Sequence, residues 1–223
     1  MSDASYARGM DKPAAVPETR AERRERATAE TRVAILEAAR ACLLRDGYAS
    51  ISTRHVAEAA DVPLSQIHYH FGSKQDLILA VLAAENDRLL ARQASMYAGS
   101  EPLWRQWERA CEFLELDLKS GYVRILQEMI AAGWSDETLA TSVREQLRGW
   151  FQLLTDVARR EERRTGNLGP FTPEEVGALM GLPFMGAEAA ILLGFPESEV
   201  PTRAALRKIG ILLRDLATPV PGD

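Results

Sequence analysis

Cysteine and histidine are scarce in this sequence, with two of the first and three of the second among 223 residues. Cys42 and Cys111 cannot build a disulfide framework. Both fall in apolar-periodic segments, so buried free thiols in a reducing cytosol are expected. The histidines, His55, His68 and His70, crowd into one stretch. His68 and His70 have no Cys, Asp or Glu at ligand spacing beside them, so neither a metal nor a cofactor is expected. Gly-x-Ser-x-Gly, a phosphate-cradling glycine loop, His-Glu-x-x-His and spaced cysteine pairs are all absent, and the chain is expected not to be an enzyme. The first twenty residues have no apolar h-region, and no apolar run approaches the roughly 20 residues that cross a bilayer. A cytoplasmic protein with no membrane partner is the expectation. No alternating strand pattern and no fixed-period repeat occur, which leaves an all-α fold.

What is present is an ordinary globular composition, 46% hydrophobic and 26% charged. The net charge of −5 alone argues against nucleic acid, but it is unevenly spread. Residues 1–75 hold 11 Lys and Arg against 10 Asp and Glu, and the remainder holds 16 against 22. Any polyanion contact belongs at the N-terminal end. Residues 1–28, with Pro13, Pro17 and Gly9, are expected to form a disordered arm. Its run Arg20-Ala-Glu-Arg-Arg-Glu-Arg26 is either a solvated tail or first helical turn, or a contact to phosphate or minor groove.

Helical apolar spacing begins at Thr31 and ends at Asp46, with Gly47 as its stop. Short helices follow from the Ser52 cap and over Pro63 to His70. A long helix opens at Gly72-Ser73 and closes before Pro102. Further helices are expected over Pro102–Leu118, Tyr122–Ala132, Asp136–Arg164, from Thr172 to Gly194, and from Thr202 to Leu216. Thr172-Pro-Glu-Glu175 places Thr at the cap, Pro at the first helical position and Glu at the third.

The stretch from Ser52 to Phe71 carries the chemistry. Two helices joined by a tight turn need a small residue where their axes meet, and Ala57 supplies it. The turn needs a residue that accepts positive φ, and Asp61 can. Val56, Val62 and Ile67 fill the gap between the helices. This is the spacing of a helix-turn-helix. The second helix would meet base edges through its N-terminal residues Leu64, Ser65 and Gln66. Gln66 can pair bidentately with adenine, and Leu64 can meet a thymine methyl. Arg54 can fork onto guanine, or instead pair with Glu58 four residues on. Thr53 can contact phosphate or base. His68 and Tyr69 suit phosphate oxygens, although Tyr69 can equally be a partly exposed aromatic. Ser73 and Lys74 sit at a helix N-terminus, a natural phosphate anchor.

The flanks sharpen the assignment. Ile35-Leu-Glu-Ala-Ala39, Gly47-Tyr48, Ser52-Thr-Arg54, Val56-Ala57, Ala60, Val62, His70-Phe71 and Lys74-x-x-Leu77 together resemble the TetR/AcrR family of bacterial transcriptional regulators. The resemblance covers about residues 31–80. Asp61 stands where the family usually has a turn glycine, His68 where tyrosine is common, and Leu43 where phenylalanine is frequent. The resemblance implies an all-α chain with an N-terminal three-helix DNA-binding domain (29–75). A long helix joins it to a C-terminal ligand-binding and dimerisation domain (76–223). It implies a repressor that binds palindromic operator DNA as a homodimer and is released by a small effector.

For the second half, the bulky residues Trp104, Trp107, Phe113, Tyr122, Met129, Trp134, Trp150, Phe151, Phe184 and Met185 are candidates for an apolar effector pocket, with plain core packing as the alternative. Few charges interrupt those stripes, so a hydrophobic or aromatic effector is expected. The last two helices are the candidate dimer interface, through Gly177, Gly181 and Ala190 on one and Leu206, Ile209 and Leu213 on the other. The alternative is that they complete the core of one subunit. Rival readings of the whole chain are an architectural DNA binder and a helical protein–protein adaptor, neither needing an effector.

Overall fold

The computed structural model of the chain describes residues 19–216. Among them there are nine helices and no strand: α1 (Arg20–Ser50), α2 (Thr53–Ala59), α3 (Leu64–Phe71), α4 (Lys74–Met96), α5 (Leu103–Ser120), α6 (Tyr122–Gly133), α7 (Glu137–Thr165), α8 (Pro173–Leu192) and α9 (Thr202–Leu216). The expected all-α architecture is what the chain adopts.

The expected disordered arm needs correction. Residues 1–18 lie outside the described residues, but 20–28 are helical. Thr19 accepts the Glu22 amide through its hydroxyl, while the Glu22 carboxylate accepts the Thr19 amide at 2.7 Å. That reciprocal cap satisfies two amides that otherwise have no helical partner. It starts α1 about eleven residues before the apolar spacing begins. Sequence periodicity missed this turn because it has no core to face.

The helices enclose two cores. The first gathers Ile35, Ala39 and Cys42 of α1, Val56 of α2, Ile67 of α3 and Leu77, Val81 and Leu82 of α4. Val123, Met129 and Leu139 of α6 and α7 belong to it as well. The second lies among the end of α4, α5, the second half of α7, α8 and α9, around Trp107, Leu154, Met180 and Phe184. Helix α1 is therefore closed from behind by α6. Two local devices make this possible. Gly121, at φ 82°, ends α5 with Leu44 in its lap, where a β-carbon would lie 2.4 Å from the leucine. Gly47, at φ 76°, breaks α1, and the freed Tyr48 amide donates to the Glu128 carboxylate of α6 at 2.6 Å. Arg124 adds bonds to Glu128 and to the Leu44 carbonyl.

α8 qualifies an expectation. Over Pro173–Leu192 it is long and apolar enough to cross a membrane by length and composition. Here it packs along α7. Gly177 presses on Thr155, and Gly181 presses on Phe151, Trp150 and Leu154.

Candidate nucleic-acid interface and effector cavity

The turn between α2 and α3 has the geometry its residues predict. Asp61 is the one non-glycine residue with positive φ among those described, at 53°. The Val62 amide donates to the Ala57 carbonyl at 3.0 Å, and Ser52 caps α2 by accepting the His55 amide at 3.2 Å. Ile67 is fully buried and Phe71 nearly so, which pins the inner face of α3. The outer face then has no choice. Leu64, Ser65 and His68 are exposed, and Tyr69 is 73% exposed. Gln66 is half-buried, as is Thr53 at the start of α2. Arg54 is exposed and forms no ion pair with Glu58 among the described residues; it borders one surface depression together with Leu64. The guanidinium is thus presented on the same side as the recognition helix.

Other candidates are held differently. Lys74 donates from Nζ to the Tyr48 carbonyl at 3.0 Å and lies 5.0 Å from the centre of the Tyr48 ring. It ties α4 to the end of α1. Ser73 caps α4 and donates to Asp76 at 2.6 Å, which places a carboxylate in the first turn of that helix. The His68 ring bonds the Gly72 carbonyl at 2.9 Å and closes the end of α3. His70 packs edge-on against Tyr69, its Nε2 buried without a partner.

The aromatic candidates for the effector pocket do not form one chamber. Trp134 is 82% exposed. Trp104 lies half-buried under Arg105 and Arg214, and Phe113 lies under Arg92. Met129 belongs wholly to the first core, and Phe151 packs against Gly181. A cavity of about 400 Å³ does exist elsewhere, lined by Leu103 and Trp107 of α5, Met180 and Pro183 of α8, and Ile209 and Leu213 of α9. Of the ten aromatic and methionine candidates only Trp107 lines it. Tyr122, Trp150, Phe184 and Met185 instead border two smaller crevices deeper in the fold. Bulk alone could not locate the void, because a void is set by which side chains fail to meet. Pro183 is one such signal in the sequence. It has no N–H to give the Leu179 carbonyl one turn back, and both residues line the cavity.

The candidate dimer residues need a similar correction. Gly177 and Gly181 are buried against α7 of the same chain, and Leu206 is buried, its carbonyl accepting the Trp107 indole N–H at 2.7 Å. Ile209 and Leu213 line the cavity. Ala190 is half-buried. The small residues of α8 bring it close to α7. The outward face is a different stripe: Leu179, Leu182, Gly186 and Leu193, with Ile211 and Leu212 on α9, all exposed. A spacing of three to four residues along α8 was visible in the sequence, but which of two apolar faces looks outward was not.

An all-helical chain with a buried-backed recognition helix is the class of protein these features define. Comparison with known proteins gives the family. Residues 35–81 match the family of bacterial regulatory proteins described as tetR. The HTH-type transcriptional repressor KstR of Rhodococcus jostii is 37% identical over 76 residues, which cover 34% of this chain and 35% of that protein. The match thus spans about a third of that relative. A TetR-family regulator from Agrobacterium tumefaciens shares the fold over 84% of this chain and 98% of its own, at a TM-score of 0.68 and 20% identity. One from Haloarcula marismortui does so over 84% and 97%, at 0.69 and 18%. Residues 35–81 thus form an N-terminal domain of the tetR family of bacterial regulatory proteins, and the rest of the chain shares the fold of TetR-family structures.

Proposed function

We propose that this protein is a ligand-responsive repressor that binds a palindromic operator as a homodimer and is released by a small apolar effector. The observation that carries the reading is α3 itself. Ile67 and Phe71 fix its inner face, so Leu64, Ser65, Tyr69 and the neighbouring Arg54 stand outward on a rigid mount. A single such head grips one half-site, and two must lie about 34–36 Å apart to read a palindrome. The exposed apolar stripe of α8 and α9 is the surface that supports pairing with a second copy. The 400 Å³ cavity opens beside that stripe, since Leu179 and Leu212 belong to both. An effector there favours whichever spacing of the heads its cavity prefers, and it shifts the equilibrium only by its difference in affinity between the two states.

The test is a gel shift on the DNA upstream of the protein's own gene. Arg54→Ala and Gln66→Ala should each lose about 1–3 kcal/mol of discrimination at one base position and leave folding intact. Unchanged affinity and selectivity in both would remove the base-contact assignment. An architectural or adaptor role is separated in the same experiment, because neither gives operator-selective binding relieved by a small molecule.

A further inference from the structure

Behind the large cavity, on the far side of Met180 and Phe184, lie two voids of about 30 and 20 Å³. Met180, a flexible side chain, lines both the large cavity and the first of these. The two voids share Gln93, Asp117, Trp150 and Glu188. Each is about the size of one or two water molecules. Space of that kind takes a compact head group and excludes a bulky one.

The polar groups around it include two carboxylates and a tyrosine oxygen as acceptors, beside the Gln93 amide. Asp117 is buried, and its charge is answered by Arg92. Gln93 Oε1 accepts the Trp150 indole N–H at 2.8 Å. Tyr122 spends its one hydroxyl proton on Asn86 Oδ1 at 3.2 Å, which leaves its oxygen free to accept. Glu188 accepts from Gln127 Nε2 at 3.4 Å, and that amide is shared with the Met185 carbonyl at 3.1 Å. No cation pairs with Glu188 among the described residues. Glu188 is half-buried; a carboxylate drawn out of water without a cation is costly, and desolvation pushes this one up to about 7.

We propose that the effector is an amphiphilic primary amine whose apolar body fills the cavity between α5, α8 and α9 and whose ammonium group donates to Glu188 in the crevice behind Met180. The proposal rests on the effector reading above and names its chemical class. An ammonium brings three donors and no acceptor, which complements the Glu188 carboxylate and the Tyr122 oxygen. It is close to water in size, which the crevice demands. The other charged and titratable groups facing the crevice are Asp117 of α5 with its Arg92 partner on α4, Tyr97 at the end of α4, and Tyr122 of α6; α7 contributes the uncharged Trp150. With Asp117 already neutralised by Arg92, Glu188 is the group left to answer a ligand cation. The ammonium takes the place of the proton that Glu188 partly holds near neutral pH, so binding releases protons.

The experiment titrates the full-length protein with 4-phenylbutylamine and with 4-phenylbutan-1-ol, following tryptophan fluorescence, since Trp107 and Trp150 line the two parts of the site. The amine should bind at least about tenfold tighter than the alcohol, as a charge-assisted bond to a half-buried carboxylate gives. Glu188→Gln should bring that ratio to about one without changing alcohol affinity, and Glu188→Asp should keep most of the preference. Calorimetry in two buffers of different ionisation enthalpy should detect proton release with the parent protein and none with Glu188→Gln. Circular dichroism and the operator gel shift without ligand report that the variants are folded. Equal binding of amine and alcohol, or a preference that survives Glu188→Gln, overturns the ammonium assignment and leaves an apolar effector standing. Binding of neither compound overturns both.

Discussion

The reading head and the far half of the molecule are packed on different terms. In the head, Ile35, Val56 and Ile67 show no exposed surface, and Leu64, Ser65, His68 and Tyr69 are turned outward on a fixed mount. In the far half, mostly apolar residues line a 400 Å³ cavity, a leucine stripe faces outward, and the half-buried Glu188 carboxylate has no cation beside it among the described residues. The contrast teaches where each task can be done. Presenting side chains to base edges needs a rigid support, because a misplaced hydrogen bond is lost outright. Responding to a small molecule needs packing that is incomplete and a surface that can shift against a partner. The joint between the two includes a polar clamp beside a shared core: Glu128 and Arg124 of α6 hold the broken end of α1, and Gly121 lets α6 approach it.

Four changes would break or sharpen that contrast. Trp107→Ala should have the largest effect. The indole is fully buried, packs 5.0 Å from Phe184 and bonds the Leu206 carbonyl, so about 3–5 kcal/mol of stability should be lost. Urea unfolding measures it, and a loss below about 1 kcal/mol would mean that the second core is already loose at α9. Next is the pH response. The Glu188 carboxyl is held above its ordinary value of 4.5, at about 7. The folded state therefore holds a proton that the unfolded state has released, and stability should fall as pH rises from about 4.5 to 7, levelling above it. Glu188→Gln should flatten that slope, and the gain over the parent should be greater at pH 8 than at pH 5. A parallel loss in both proteins would place the slope elsewhere.

Glu128→Ala is third. It leaves the Tyr48 amide without its acceptor and should cost about 1–3 kcal/mol. It should also raise amide exchange in α1 near Gly47 more than in α9, and uniform exchange would deny that α6 clamps the head. The smallest change is Asp61→Gly. A glycine at φ 53° relieves a conformation that L side chains disfavour, so the head should gain up to about 1 kcal/mol. A destabilised variant would show that the Asp61 carboxylate has a role beyond the turn.

Much of the head was legible in the sequence because its signals are local. Ala57, Asp61, Val62 and Ile67 lie within eleven residues and fix both the turn and the side of α3 that is buried. The exposure of Leu64, Ser65 and Tyr69 follows from helical spacing once Ile67 is inside. Lys74 shows the limit even here. Its spacing marks a helix start, but the Tyr48 carbonyl that engages it is 26 positions away. In the far half the same kind of reasoning misplaced Trp134, Met129, Gly177 and Gly181. Each was judged by size and hydropathy, and those properties do not say whether a residue meets its own chain, a cavity or the outside.

The order of letters by itself determined nine helical segments, most of their caps and stops though not the Thr19 start of α1, and a recognition helix with one face that must be buried. Those depend on contacts between residues a few places apart, where the backbone offers few alternatives. Only the three-dimensional packing decided where the void lies, which stripe of α8 looks outward, and that Glu188 sits without a cation. These are properties of how helices distant in sequence fit together, and small differences in that fit separate a filled core from an open one.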